Sequence, residues 1–195
     1  LATRLREVDV ALSIDAKNVE VVRASGTKLG RVRLKAQSTA EGIDIEALEI
    51  TNLGGATVSA NGRLTETGDR FNAQIDAQHV DSLAVLLGKL MPGPVPEMLA
   101  ERSNSLSPLR LKLSAELARD HSVALRFDGT AAKTVVAGQA VFSGGSSAMK
   151  VAAELKAEGP DPVALLQQIG TDVLPLPVQG SANLSLNVNG LVRDG

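Results

Sequence analysis

Hydrophobic and polar residues alternate along most of this chain, in long segments separated by short runs rich in turn-forming residues. A spacing of two places successive side chains on opposite sides of an extended strand, so each segment predicts a strand with one apolar and one polar face. We therefore predict a mainly β protein, in which repeated antiparallel strands form a long curled sheet or an open groove. The residues expected to line its apolar side are Val10, Leu12, Ile14, Leu34, Ile43, Ile45, Val58, Ile75, Leu111, Leu113, Leu125, Phe127, Leu184 and Leu186.

A short sequence motif occurs three times at the end of such a segment, at residues 14–20, 75–81 and 155–161. The copies stand at uneven intervals, which is unsuited to a short-period solenoid but fits a repeated block of several strands. We predict a first β block with a helical insert over residues 1–105. A second block over 106–195 is expected to continue the first, and the whole is expected to be a piece of a larger protein.

Three short amphipathic helices are predicted, at about 81–91, 96–102 and 161–169. In the first, apolar residues recur at helical spacing and form one stripe. Asp81 and Asp161 are expected to cap the first and third helices, and proline follows Asp161 at the first helical position. The residues of the stripe are Leu83, Leu86, Leu87, Leu90 and Met91.

The segments 31–36 and 43–47 predict a hairpin whose basic strand faces an acidic one. With a loop over residues 38–41, Leu34 is expected opposite Ile45, and Ala36 opposite Ile43. The same register places Lys35 opposite Asp44, and Arg33 opposite Glu46.

Composition narrows the function classes. Cysteine is absent, which removes disulfides and thiolate chemistry and leaves the redox compartment open. The net charge of -2 and the aromatic content of 2% offer neither attraction to phosphate backbones nor a surface for base stacking, so we expect no nucleic-acid partner. No apolar run approaches the roughly 18 residues that a membrane-spanning helix needs.

The candidate chemical residues have plainer interpretations. His79 and His121 lack a third metal ligand at a suitable spacing, and the run Ser143–Ser147 lacks the lysine and helix of a phosphate loop, so it predicts a hairpin turn. Asp44, Glu46 and Glu49 resemble a paired-carboxylate site, but Asp44 and Glu46 are expected opposite basic residues on the solvated face of a hairpin. We therefore predict no catalytic, metal or cofactor site and no enzymatic activity.

Two segments of the sequence indicate a family resemblance. They are the strand Leu29–Leu34 and the segment Leu53–Leu64, which has a glycine pair before Gly62. Together with the recurring passage from strand to aspartate to helix, they resemble the AsmA-like region of the AsmA and TamB group of Gram-negative envelope proteins. The resemblance covers most of the chain as a style of repeat. It implies a periplasmic part of a protein anchored in the inner membrane, with a groove of apolar interior related to bridge-like lipid-transfer proteins. It also implies outer-membrane biogenesis, phospholipid as the partner, further envelope proteins as possible partners, and no catalytic residues.

Two functions follow from the pattern. In the first, the apolar faces line an open groove that binds or transports the acyl chains of phospholipid or another lipid. In the second, the same faces close on each other as a sealed β-sandwich, and the protein is a structural spacer or an interaction module. An open apolar interior would separate the first from the second.

Overall fold

The computed structural model describes residues 10–20, 29–53, 55–90, 93–145, 148–171 and 180–192. Strands dominate these ranges, and each follows one of the alternating segments. The strands are β1 (Ala11–Glu20), β2 (Leu29–Thr39), β3 (Gly42–Leu53), β4 (Ala56–Thr65), β5 (Gly68–Ala77), β6 (Leu109–Ala118), β7 (Val123–Ala131), β8 (Thr134–Gly145), β9 (Ala148–Gly159) and β10 (Ala182–Val192).

Within the described ranges, four short helices interrupt the succession of strands. They are α1 (Val80–Leu90), α2 (Pro94–Glu101), α3 (Ser103–Leu106) and α4 (Pro162–Gln168). The three predicted helices are therefore present with ends displaced by a few residues, whereas α3 was not predicted. Met91, assigned to the apolar stripe of the first helix, lies outside the described residues.

All ten strands form one sheet in chain order, and each pairs antiparallel with the next. The sheet is open, with β1 and β10 as its outer strands, and the prediction of a mainly β fold of antiparallel strands is confirmed. β5 pairs with β6 across the helical insert from Gly68 opposite Ala118 to Ala77 opposite Leu109. The two predicted blocks therefore contribute to a single sheet.

The predicted register of the β2–β3 hairpin is wrong, although its faces are right. Thr39 pairs with Gly42 across a two-residue turn, so Ala36 faces Ile45 and not Ile43. The Thr39 hydroxyl donates to the Gly42 carbonyl at 3.3 Å, and a Cβ on Gly42 would lie 1.9 Å from the Leu64 carbonyl oxygen. This tight closure leaves no room for the longer loop that the sequence suggested.

A bulge then shifts the register of the same hairpin between Lys35 and Ala36. Beyond the bulge, Leu34 faces Leu48 and not Ile45, and Arg33 faces Glu49 and not Glu46. A bulge places an extra residue in one strand and reverses the side to which the following residues point. Here it keeps Leu48 and Ile50 on the apolar side after Ala47.

The densely packed core lies along one margin of the sheet, where the helices connect the strand ends; we call this the helix margin. Val80 and Leu83 of α1 are buried there against the terminal residues of four strands. The Gln168 side-chain amide of α4 donates to the carbonyl oxygens of Ser105 at 2.9 Å and Ala131 at 3.1 Å, which joins the two helical segments. The strand residues in this core are Ala56, Ala77, Leu109 and Ala131.

The two predicted helix caps have different outcomes. Asp161 caps α4 as expected, because its carboxylate accepts from the backbone N–H groups of Val163 at 2.9 Å and Ala164 at 3.3 Å. Asp81 does not cap α1, because the helix already begins at Val80. The Ser107 hydroxyl accepts from the Val80 N–H at 3.0 Å, so a residue distant in sequence satisfies the helix start.

The assignment of faces leads to a stability prediction. Leu34→Asp should destabilise the protein by about 1–3 kcal/mol, because it replaces a half-buried leucine between Ile14 and Leu48 on the apolar face with a charge. Arg33→Gln removes a solvent-exposed ion pair with Glu49 without creating a like-charge contact, and should cost about 1 kcal/mol or less. Urea unfolding measures both changes, and equal losses of unfolding free energy would mean that the faces are assigned wrongly.

Candidate functional site

The apolar face of the sheet is organised in rungs, by which we mean rows of laterally paired residues with one residue from each strand. Three central rungs carry hydrophobic side chains or glycine in every strand. The first contains Leu12, Ala36, Ile45, Gly62, Phe71, Ala115, Leu125, Ala140, Ala153 and Val188. The second contains Ile14, Leu34, Leu48, Ala60, Ala73, Leu113, Phe127, Gly138, Leu155 and Leu186, and the third Ala16, Val32, Ile50, Val58, Ile75, Leu111, Gly129, Val136, Ala157 and Leu184.

The residues predicted from the sequence to line the apolar side all lie on this face. Ile43 lies one rung beyond the first, opposite Leu64, and Val10 continues the alternation just before β1. Sequence reasoning missed Leu48 and Ile50, because a bulge changes the alternation ahead of them. In β3 the apolar residues change from odd-numbered positions (Ile43 and Ile45) to even-numbered ones (Leu48 and Ile50). This change in the sequence could have identified them.

The central rungs are open to solvent on one side. Their residues in the interior strands are mostly half-buried, whereas in the outer strands Leu12 is 48% and Leu186 50% exposed. The principal contacts of the helices with the sheet are those of α1 with β4 and β5 and of α4 with β9. Within the described ranges, no second sheet covers this face.

Two phenylalanines lie across glycines of the neighbouring strand. A Cβ built on Gly62 would lie 2.5 Å from the ring of Phe71, and one built on Gly138 would lie 2.6 Å from the ring of Phe127. The glycines thus give each ring space to cover the adjacent backbone. The two largest side chains of the central rungs are thereby accommodated within the sheet surface.

The opposite face carries the ion pairs. Asp44 pairs with Arg63 at 3.1 Å, Glu49 with Arg33 at 3.0 Å, and Glu46 with Lys35 at 4.0 Å. Asp44 and Glu46 therefore lie beside basic residues on a solvated face as expected, but their partners are Arg63 and Lys35 and not the predicted Lys35 and Arg33. Exposed ion pairs of this kind each contribute about 1 kcal/mol or less to the free energy of unfolding. Their main effect is to make this face polar and solvated.

The shifted pKa values on this face have local causes. The Arg31 guanidinium hydrogen-bonds the Asp15 carboxylate and holds its pKa below the usual value. Hydrogen bonds from Lys156, and then from Gln139, lower the pKa of Glu154, and the same ion pair raises the pKa of Lys156. These groups are exposed or half-buried strand residues, and each shift follows from a hydrogen bond or ion pair on the surface of the sheet.

The remaining candidate chemical residues are dispersed. His79 precedes α1, and His121 lies in the β6–β7 turn with a φ of 62°. No group of three or more potential metal ligands occurs within the part of the chain that the structure describes. Gly145 pairs with Ala148 where β8 and β9 meet, and Ser146 and Ser147, the rest of the predicted turn, lie outside the described residues.

A cleft of about 920 Å³ lies at the margin opposite the helices, which we call the hairpin margin. Its lining combines apolar residues that end the rungs, among them Leu64 and Leu117, with four acidic and two basic residues. These charged residues are Glu41, Arg63, Glu66, Asp69, Arg70 and Glu116. Arg70 pairs with Glu116 at 3.4 Å. The cleft is therefore amphipathic, with the apolar face on one side and ion pairs on the other.

Comparison of the chain with protein-family models, curated proteins and solved structures finds no match. The AsmA-like resemblance therefore remains an inference from sequence motifs. Among the described helices, none combines the length and the apolar character that crossing a bilayer requires.

A phenylalanine ring packs over Gly138 and nothing packs over Gly190, so replacing each glycine with alanine should change the stability of the protein differently. Gly138→Ala should destabilise the protein by about 1–3 kcal/mol, because the new Cβ displaces the Phe127 ring. Gly190→Ala is the matched control, since nothing lies within 4 Å of its Cβ position, and it should be neutral or slightly stabilising. Urea midpoints at an unchanged slope provide the measurement. A Gly138→Ala midpoint equal to that of Gly190→Ala would contradict the packing described here.

Proposed function

We propose that this chain is a non-catalytic periplasmic segment of an AsmA-like outer-membrane biogenesis protein, whose apolar face binds phospholipid acyl chains and supports their transport. The observation that carries the proposal is the apolar character of three rungs through all ten strands, which no second layer covers in the part of the chain that the structure describes. The resemblance contributes the envelope location and the inner-membrane anchor of the parent protein.

The dimensions of the face suit an acyl chain. Nine interstrand spacings of about 4.8 Å give a length of about 43 Å across the sheet. Each leaflet contributes about half of the roughly 30 Å hydrocarbon core of a bilayer, so the face is longer than the acyl region of one lipid. Burial yields about 0.8 kcal/mol per methylene before ordering costs, which is sufficient to hold a long chain.

The chemistry of the face favours breadth over selectivity. Its side chains are mainly valine, leucine, isoleucine and alanine, and the ion pairs project from the opposite face. A site selective for one small molecule usually places a few fixed polar groups among apolar ones. We infer that acyl chains of different lengths bind alike.

A structural spacer or interaction module is the alternative function. In its sealed-sandwich form, a second apolar face must pack about 10 Å above the first. The single open sheet of the described residues favours the groove over this form. Binding of lipid by the purified chain is the property that the spacer does not require.

A matched pair of variants tests lipid binding. Leu113→Asp places a carboxylate in the central rung, between Ala73 and Phe127, and should abolish binding of a fluorescent phospholipid. Ser114→Asp adds the same charge one residue later, on the polar face beside Arg126, and should leave binding unchanged. Titration of the labelled lipid gives the affinities, and circular dichroism establishes that each variant is folded.

A second variant on the apolar face keeps the test informative if Leu113→Asp does not fold. Leu12 belongs to an outer strand and is already 48% exposed, so Leu12→Asp should remain folded and still weaken binding at that end of the face. Undiminished binding in folded Leu12→Asp and Leu113→Asp proteins would overturn the groove function. So would an absence of lipid binding by the parent chain.

A further inference from the structure

One interior strand of the sheet, β8, is apolar on both of its faces. Among residues 135–142, only Gln139 has a polar side chain. Val135 and Val141 lie on the face that carries the ion pairs, and they are 57% and 45% exposed. A strand that is apolar on both sides is typical of one that is covered on both sides. Because β7 and β9 already pair with the two edges of β8, a cover for its valines must lie over the polar face.

The row of Val141 is apolar through three neighbouring strands. Val141 lies between Ala124 of β7 and Ala152 of β9 on the polar face. Val135 lies three rows further toward the helix margin, beside Thr130 of β7. A patch of exposed valine and alanine therefore interrupts a face that is otherwise charged.

Two charged rows lie between these valines. In one row, Asp128 of β7 and Lys156 of β9 flank β8. In the next row the signs are reversed, with Arg126 on β7 and Glu154 on β9. Glu154 and Lys156 form an ion pair at 2.7 Å, whereas no ion pair involves Arg126 or Asp128 within the part of the chain that the structure describes. The β7 side of the patch therefore offers two charges of opposite sign to another molecule.

We propose that two copies of this chain pack back to back through the polar face of β8, with a two-fold axis that runs parallel to this strand between the two sheets. The axis exchanges the positions of β7 and β9 and keeps each row opposite its own copy. Asp128 then lies over the partner's Lys156, and Arg126 over the partner's Glu154. Because the axis repeats each contact, all four charges of one copy meet opposite charges of the other.

The apolar row favours this axis over one that runs across the strands. With the axis parallel to β8, Val141 packs on the partner's Val141, and Ala124 on the partner's Ala152, so the apolar row meets itself. An axis across the strands would also pair opposite charges, but it would place the Glu158 carboxylate over the partner's Ala152. Burial of a charge against an apolar side chain is unfavourable.

The surface is large enough for a specific contact between two sheets that pack face to face. Five strands, β6 to β10, at about 4.8 Å each, and four rows about 6.8 Å apart cover about 650 Å² on each copy. The total of about 1,300 Å² lies within the range of specific protein interfaces. The charged side chains of β6 lie over amides and hydroxyls of the partner's β10, so no like charges meet there. Both apolar faces point outward, so the contact does not depend on the proposed lipid function.

The association state of the purified chain tests the contact. Light scattering after size exclusion should give a mass that rises with concentration from 20.2 kDa toward twice that value. Val141→Lys places two lysines opposite each other at the axis and should keep the chain monomeric, while lipid binding stays as in the parent. Val188→Lys is the matched control, because Val188 is similarly exposed, at 47%, but lies on the apolar face, and this variant should still dimerise. A parent chain that is monomeric at every concentration would overturn the proposal. So would a dimer that Val188→Lys dissociates and Val141→Lys does not.

Charge reversal tests the orientation of the two copies. Arg126→Glu places a carboxylate over the partner's Glu154 at two symmetric positions and should weaken the dimer about tenfold or more. The lateral neighbours of Arg126 are the uncharged Ser114 and Gln139, so the variant should fold, which circular dichroism checks. Addition of Glu154→Lys restores opposite charges across the axis and should return the affinity to that of the parent. A double variant that dimerises as weakly as Arg126→Glu alone would overturn the proposed arrangement.

Discussion

The lateral pairing of ten antiparallel strands with their apolar sides in common is the constraint on which the rest of this structure depends. A one-residue slip in any pair would move the hydrophobic set of that strand to the polar side, beside the arginines and carboxylates. The bulges at Asn18 and near Ala47 prevent such a reversal where the alternation of the sequence changes phase. The ion pairs of the polar face then favour the same assignment of sides.

Packing is uneven across the sheet. At the helix margin, Val80 and Leu83 pack on the ends of the strands in a buried core, and Gln168 joins α4 to it. Away from that margin, the apolar residues are half-buried and depend on their lateral neighbours. Such a protein can expose a large apolar surface without losing its fold, because much of its dense packing lies to one side. Exposed apolar patches of that extent usually mark an interaction site.

The strands and their faces could be predicted from the sequence, because a period of two depends only on extended geometry. Asp161 was also predictable as a helix cap, because both hydrogen bonds that it accepts come from residues two and three positions later in the sequence. The start of α1 was not predictable, because the hydroxyl that accepts from Val80 belongs to Ser107. The predicted β2–β3 register was wrong because the turn before Gly42 has only two residues. Gly42 lies in close contact with β4, which the local sequence does not reveal. The function of the apolar face remains a proposal, because hydrophobic alternation is common to a sealed core and an open groove.

The central claim is that the apolar face holds lipid. Its most direct test is mass spectrometry of the chain, purified without detergent and transferred intact, followed by identification of the released small molecules. The account predicts bound phospholipid of mixed acyl length, released when the protein is unfolded. A protein that carries no lipid, and takes up none from vesicles, would contradict it.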